Sequence, residues 1–199
     1  MGAGEPSGAG GKGRERAEPG GLAVVVLDAL AGPADPELRA RIGPELHDHL
    51  RHVLRERTLA WARDAAGGAE PLEARRAEEL EALLADHDGP VLLVAPDVPG
   101  LGAHHVVAAR DDLDDGVLLS SAPATDGRPF LIALARPEPR LLALAGEPFD
   151  VLAGAARELG GDLGMLRPER RLASIGDARA MRADPMAPPE LRDLIKTIT

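Results

Sequence analysis

The residue best placed for chemistry in this 199-residue chain is Asp97. It follows Val91-Leu92-Leu93-Val94-Ala95, an apolar run that reads as a buried strand. Open α/β sheets put their ligands beyond the carboxyl ends of such strands. A carboxylate there can hold a divalent ion, which in turn neutralises the phosphates of a nucleotide. Asp126, in the turn Thr125-Asp126-Gly127 that leads into another apolar run, can approach the same crevice. Spacing alone favours a plainer role, in which both aspartates cap turns. His104-His105 lies just after the Asp97 loop, and His47-x-His49-x-x-His52 lies on a long helical pattern. Neither has further ligands at a known metal spacing, so both read as exposed helix surface.

Other motifs fail on position. Gly8-x-Gly10-x-x-Gly13 fits the dinucleotide fingerprint in letters but precedes the first strand, so it cannot present amides to a pyrophosphate. Gly11-Lys12 is no Walker motif, since Pro6 stands at its first glycine and Gly13 at its hydroxyl residue. Read as a calcium loop, the acidic run from Asp111 to Gly116 puts Leu113 and Ala122 where carboxylates belong. Ser120-Ser121 lacks the Gly-x-Ser-x-Gly elbow of serine hydrolases. Asp28, at the end of the first strand, pairs with Asp97 as in a phosphoacceptor receiver. That reading needs a further acidic pair and a late lysine, and the only late lysine, Lys196, lies in the last helix.

The elements that must position these residues alternate. Residues 22–27 and 91–95 are short, apolar on both faces and β-branched, as in a parallel sheet. Periodic spacing predicts helices over 44–66 and 71–86, a short one over 102–110, and others near 138–144, 148–159 and 188–198. Further strands are expected at 117–120, 129–134 and 163–166. Ser174-x-x-Asp177 is a capping signal that opens one more helix. Residues 1–21 are rich in Gly, Pro and charge and read as a disordered tail before one domain over 22–199. The expected fold is α/β, a single domain with a mostly parallel central sheet flanked by helices.

Composition excludes several functions. With 33 acidic against 23 basic residues, the formal charge of −10 opposes binding to nucleic acid or anionic membrane. There is no cysteine, so thiolate catalysis and Cys-containing zinc sites are absent. One Trp, two Phe and no Tyr leave no stacking platform for bases. No apolar run approaches a membrane span or a secretory signal, and a cytoplasmic location is expected. Abundant Ala, Gly, Pro and Arg point to a GC-rich coding sequence and a bacterial source.

The stretch from Gly89 to Leu101, with Pro96-Asp97-Val98-Pro99 at its centre, resembles the strand-plus-Asp-x-Pro segment of bacterial glycosyltransferase-like proteins. These share the nucleotide-diphospho-sugar transferase fold with molybdenum-cofactor and 2-phospho-lactate guanylyltransferases. Asp114-Asp115-Gly116-Val117-Leu118-Leu119 and Thr125-Asp126-Gly127-Arg128-Pro129-Phe130 continue the likeness in register. The resemblance implies that Asp97 holds Mg²⁺ or Mn²⁺ carrying a nucleotide or nucleotide-sugar. It also places Asp126 at the acceptor, as a catalytic group, with Asp28, Gly127 and Phe130 lining the cofactor side. The chain departs from that pattern as well. Asp35-Pro36-Glu37 stands where the family keeps a basic phosphate loop, and the family's second strand is replaced by the helix expected over 69–88. Arg128 replaces a glycine and Pro129 a tyrosine, and Ala173-Ser174-Ile175-Gly176 stands where a second Asp-x-Asp is usual. Two functions follow as expectations. One is a metal-dependent nucleotide or sugar transferase; the other is a degenerate, non-catalytic relative serving as a partner-binding or structural module.

Overall fold

The computed structural model describes residues 21–33, 35–196 and 198. Apart from Gly21, the tail expected over 1–21 lies outside these residues. Six strands form one sheet: β1 (Ala23–Leu27), β2 (Leu72–Ala74), β3 (Val91–Val94), β4 (Leu119–Pro123), β5 (Pro129–Leu134) and β6 (Leu163–Met165). Their order is β2-β1-β3-β5-β4-β6, and only β5 runs against the rest. The three central strands β1, β3 and β5 are buried along their whole length. That is why their sequences are unbroken apolar runs: helices cover both faces, so no residue of these strands meets water. The edges, β2 and β6, are only three residues each, which limits pairing with other chains.

Eight helices are described: α1 (Pro36–Ile42), α2 (Pro44–Ala65), α3 (Leu80–Leu83), α4 (Ala103–Asp114), α5 (Pro139–Ala143), α6 (Phe149–Glu158), α7 (Ile175–Ala183) and α8 (Pro189–Leu194). The expected α/β class, mostly parallel sheet and flanking helices are what the chain adopts. Two expectations are corrected. The helix expected over 71–86 is instead strand β2, a 3₁₀ turn at Ala77–Glu79 and the short α3. The free edge of β1 captures Leu72–Ala74 in parallel register, a tertiary gain that local periodicity does not reveal. The loop expected between 31 and 43 contains α1, whose N-cap is Asp35 with Pro36 at the first helical position.

Packing divides in two. The main core surrounds the sheet, with Leu27, Leu92, Leu93, Leu131 and Phe130 all sealed from solvent. A second core joins Leu38 and Leu50 of the first two helices to Ile175, Met181 and Leu191 of the last two. Helix α7 of the second core begins at a reciprocal cap. Ser174 Oγ accepts from the Asp177 amide at 3.1 Å and donates to Asp177 Oδ2 at 2.7 Å, while that oxygen also accepts the Ser174 amide at 3.0 Å. Ser174→Ala removes one half of this reciprocal cap and should lower stability by about 1 kcal/mol. A urea midpoint equal to that of the parent chain would show the cap to be dispensable.

Candidate functional site

Beyond the last residue of β3 the chain turns at Pro96, and the Asp97 side chain points back beneath the surface with no exposed area. Oδ2 accepts the Gly32 amide at 2.8 Å, from the loop that follows β1. Oδ1 accepts Nη1 of Arg171 at 2.8 Å. Arg171 is 3% exposed, and its Nη2 donates to the Pro129 carbonyl at 2.8 Å. Its Nε stands 3.3 Å from Asp126 Oδ2, close enough for attraction but without hydrogen-bond alignment. Among the described residues no other carboxylate or guanidinium is buried. A charge removed from water is tolerated when it is paired and its polar atoms are bonded, and most of this pair meets that condition.

The neighbouring loops press on the same pair. A Cβ at Gly32 would stand 3.0 Å from the Arg171 Cδ, so the glycine leaves the room that the arginine fills. The Leu172 amide donates to the Asp97 carbonyl at 2.9 Å, fixing the segment on both sides of its side-chain bond. Arg51 of α2 reaches the rim, with Nη1 3.9 Å from Asp97 Oδ2.

The predicted site residues separate into three places. Asp97, Asp126 and Gly127 come together through Arg171, with Asp126 half-exposed and its Oδ1 accepting the Arg128 amide at 3.0 Å in the turn. Gly127 has φ +81°, so glycine is needed there for the turn itself. Asp28 lies at the end of β1 but in another network: Arg55 of α2 bridges it to Glu73 of β2. Phe130 is wholly buried in β5, its ring edge-on to that of His105 at 5.5 Å between centroids. Asp35, which stood for reversed charge in a phosphate loop, caps α1 by accepting the Glu37 amide at 2.9 Å and also faces the Ile175 amide at 3.4 Å.

A divalent ion does not fit at Asp97. Both carboxylate oxygens are engaged, water has no access, and a guanidinium occupies the space from which a cation would approach. Sequence reasoning missed Arg171, Arg51 and Arg55. These arginines neutralise the aspartates from far along the chain, and no local motif marks them.

The histidines behave differently from one another. His49 and His52 are exposed on α2, as expected, whereas His47 is buried. His105 is buried at the start of α4, and its Nδ1 accepts the Gly102 amide at 3.3 Å. Burial first, and then the neighbouring His104, push its pKa down to about 4, with Arg167 adding to the effect. Glu169 Oε1 lies 3.8 Å from Nε2 without making a hydrogen bond to it. The folded chain therefore holds fewer protons than the unfolded one between pH 6.5 and 4. Stability attributable to His105 is complete above about pH 6.5 and is lost as pH falls through that window. Urea unfolding at several pH values, in buffer with chelator, should show a shallower acid decline in His105→Gln. Parallel declines in the two proteins would refute the assignment.

A cleft of about 270 Å³ lies beside the site, between α2 and residues 98–101, lined by Arg57, Trp61, Asp64, Pro99 and Leu101. It holds none of the predicted residues. It is smaller than the roughly 300–1,000 Å³ usual for small-molecule pockets.

No protein-family model and no curated protein matches the sequence. Solved structures do. A protein of Desulfovibrio desulfuricans G20, named provisionally a nucleotide-diphospho-sugar transferase, superposes with a TM-score of 0.66 at 16% identity over 88% of this chain and 94% of that one. Rv0371c of Mycobacterium tuberculosis H37Rv matches at 0.47 and 16% identity, over 82% and 97% of the two chains. The bifunctional IspDF of Campylobacter jejuni matches at 0.46 and 12%, over 80% and 53%. The first of these establishes a nucleotide-diphospho-sugar transferase-like fold for this chain.

Proposed function

We propose that this chain is a non-catalytic relative within the nucleotide-diphospho-sugar transferase-like fold, working as a binding or structural module instead of a metal-dependent transferase. The observation that carries this is the Asp97–Arg171 pair. At the strand end where a metal-bound diphosphate would dock, the carboxylate holds an arginine of its own chain. The Asp28–Arg55–Glu73 bridge supports the same reading at the end of β1. A site whose charges are already satisfied gains little from a charged ligand, because binding must first break buried contacts.

One observation favours a second reading, metal-free binding of a nucleotide-type anion. Arg51 is about one-third exposed at the rim of the pair, with its guanidinium free to meet a phosphate as well as Asp97. Calorimetric titration with UDP- and GDP-sugars, with and without Mn²⁺, separates the possibilities. Absence of binding under both conditions supports the non-catalytic module. Metal-independent binding lost in Arg51→Ala supports the second reading. Mn²⁺-dependent binding abolished by Asp97→Ala overturns both and restores the transferase.

A further inference from the structure

About the N-terminus of α4, three side chains outside the Asp97 cluster converge. His104 and His105 are successive residues, yet their rings stack with centroids 4.0 Å apart and planes tilted by 38°. Both Nε2 atoms turn toward Glu169, whose Oε1 lies 3.9 Å from that of His104 and 3.8 Å from that of His105. One donor atom from each of the three side chains lies within 4.8 Å of the other two. His105 Nε2 is buried and has no hydrogen-bond partner, an arrangement that proteins rarely leave unused. Glu169 belongs to the extended link between β6 and α7, held in place by its own amide on the Pro123 carbonyl at 3.3 Å. Its carboxylate rests over Gly100, where a Cβ would stand 2.7 Å from Oε2. The carboxylate therefore has a seat that any other residue at position 100 would fill.

We propose that His104, His105 and Glu169 form a binding site for a divalent ion of the zinc class, with a fourth position open to solvent. Two imidazoles and one carboxylate form a donor set that suits Zn²⁺ and its neighbours Co²⁺ and Ni²⁺ better than Mg²⁺. Tetrahedral bonds of about 2.0–2.1 Å set ligand atoms about 3.3 Å apart, so the two contacts with Glu169 need to close by about half an ångström and the two imidazoles must draw together as well. His104 can make that movement, since it is half-exposed. Two groups oppose the ion. Arg167 Nε lies 3.7 Å from Glu169 Oε1, but its side chain is largely in solvent and can swing away. Ligation through His105 Nε2 moves the ring proton to Nδ1 and gives up the long contact from the Gly102 amide. In return the orphaned nitrogen gains a partner, and the ion ties α4 to the link before α7. This site is separate from Asp97 and does not depend on what that pair does.

The test uses the full chain stripped with chelator and titrated with Zn²⁺ by calorimetry and with Co²⁺ by visible absorption. One equivalent should bind, with the intense bands of four-coordinate cobalt and a rise in Tm. Glu169→Gln and His104→Ala lie at partly exposed positions and should each weaken binding by about tenfold or more. His49→Ala, at an exposed position of α2 outside the cluster, should bind as the parent does. No saturable binding, or binding indifferent to both Glu169→Gln and His104→Ala, would overturn the proposal. So would a loss confined to His49→Ala.

Discussion

Arg171→Ala should be less stable than the parent chain by about 3–5 kcal/mol in urea unfolding, the usual consequence of leaving a buried charge without its partner. The guanidinium is replaced by nothing that can meet Asp97 Oδ1, the Pro129 carbonyl loses its donor, and the Gly32 loop loses the side chain packed against it. Arg51 stands 3.9 Å away and compensates only in part. The loss belongs to the orphaned charge and is not a measure of what the pair contributes. Asp97→Leu combined with Arg171→Met should therefore recover most of the stability, since apolar pairs of similar volume often replace buried ion pairs without cost. A single Arg171→Ala variant within about 1 kcal/mol of the parent would mean that water or Arg51 reaches Asp97 readily. That result would reopen the carboxylate to ligands.

The second large effect is expected at Phe130. The resemblance to transferases put this ring beside a cofactor, but β5 packs it inside the sheet with no exposed surface. Phe130→Ala should cost about 3–5 kcal/mol through lost burial and the cavity left behind. The edge-on contact with His105 disappears as well. Phe130→Leu keeps most of the volume and should cost much less. If Phe130→Ala changed a binding constant with unaltered stability, the ring would have to line a ligand site after all.

The central strands were legible because burial on both faces forces an apolar residue at every position. Leu22 to Leu27 and Val91 to Ala95 carry that mark without any context. β2 carries no such mark, because Leu72-Glu73-Ala74 is a strand only through its neighbour. α1 was written in plain sight as Asp35-Pro36, a cap followed by a first-turn proline, yet the surrounding Gly32 and Pro33 suggested only a loop. Asp97 was legible as a strand-end carboxylate. Its partner was not, because Arg171 lies 74 residues away among many arginines and only the closed fold selects it. His104 and His105 misled for a geometric reason. Adjacent helical residues normally diverge, but here their rings fold back upon each other, and Glu169 meets them from a distant segment.

The second core has a consequence for how the chain assembles. Leu38, Leu50 and Leu54 are translated with the first two helices, well ahead of their cover, Ile175, Met181, Leu191 and Ile195. Until that cover has been translated, the leucine face lacks most of its packing, and closing so long a loop is slow. The interval is when a nascent chain is most exposed to aggregation and to chaperones. The Asp97–Arg171 pair likewise joins an early segment to a later one and forms only when that later segment docks.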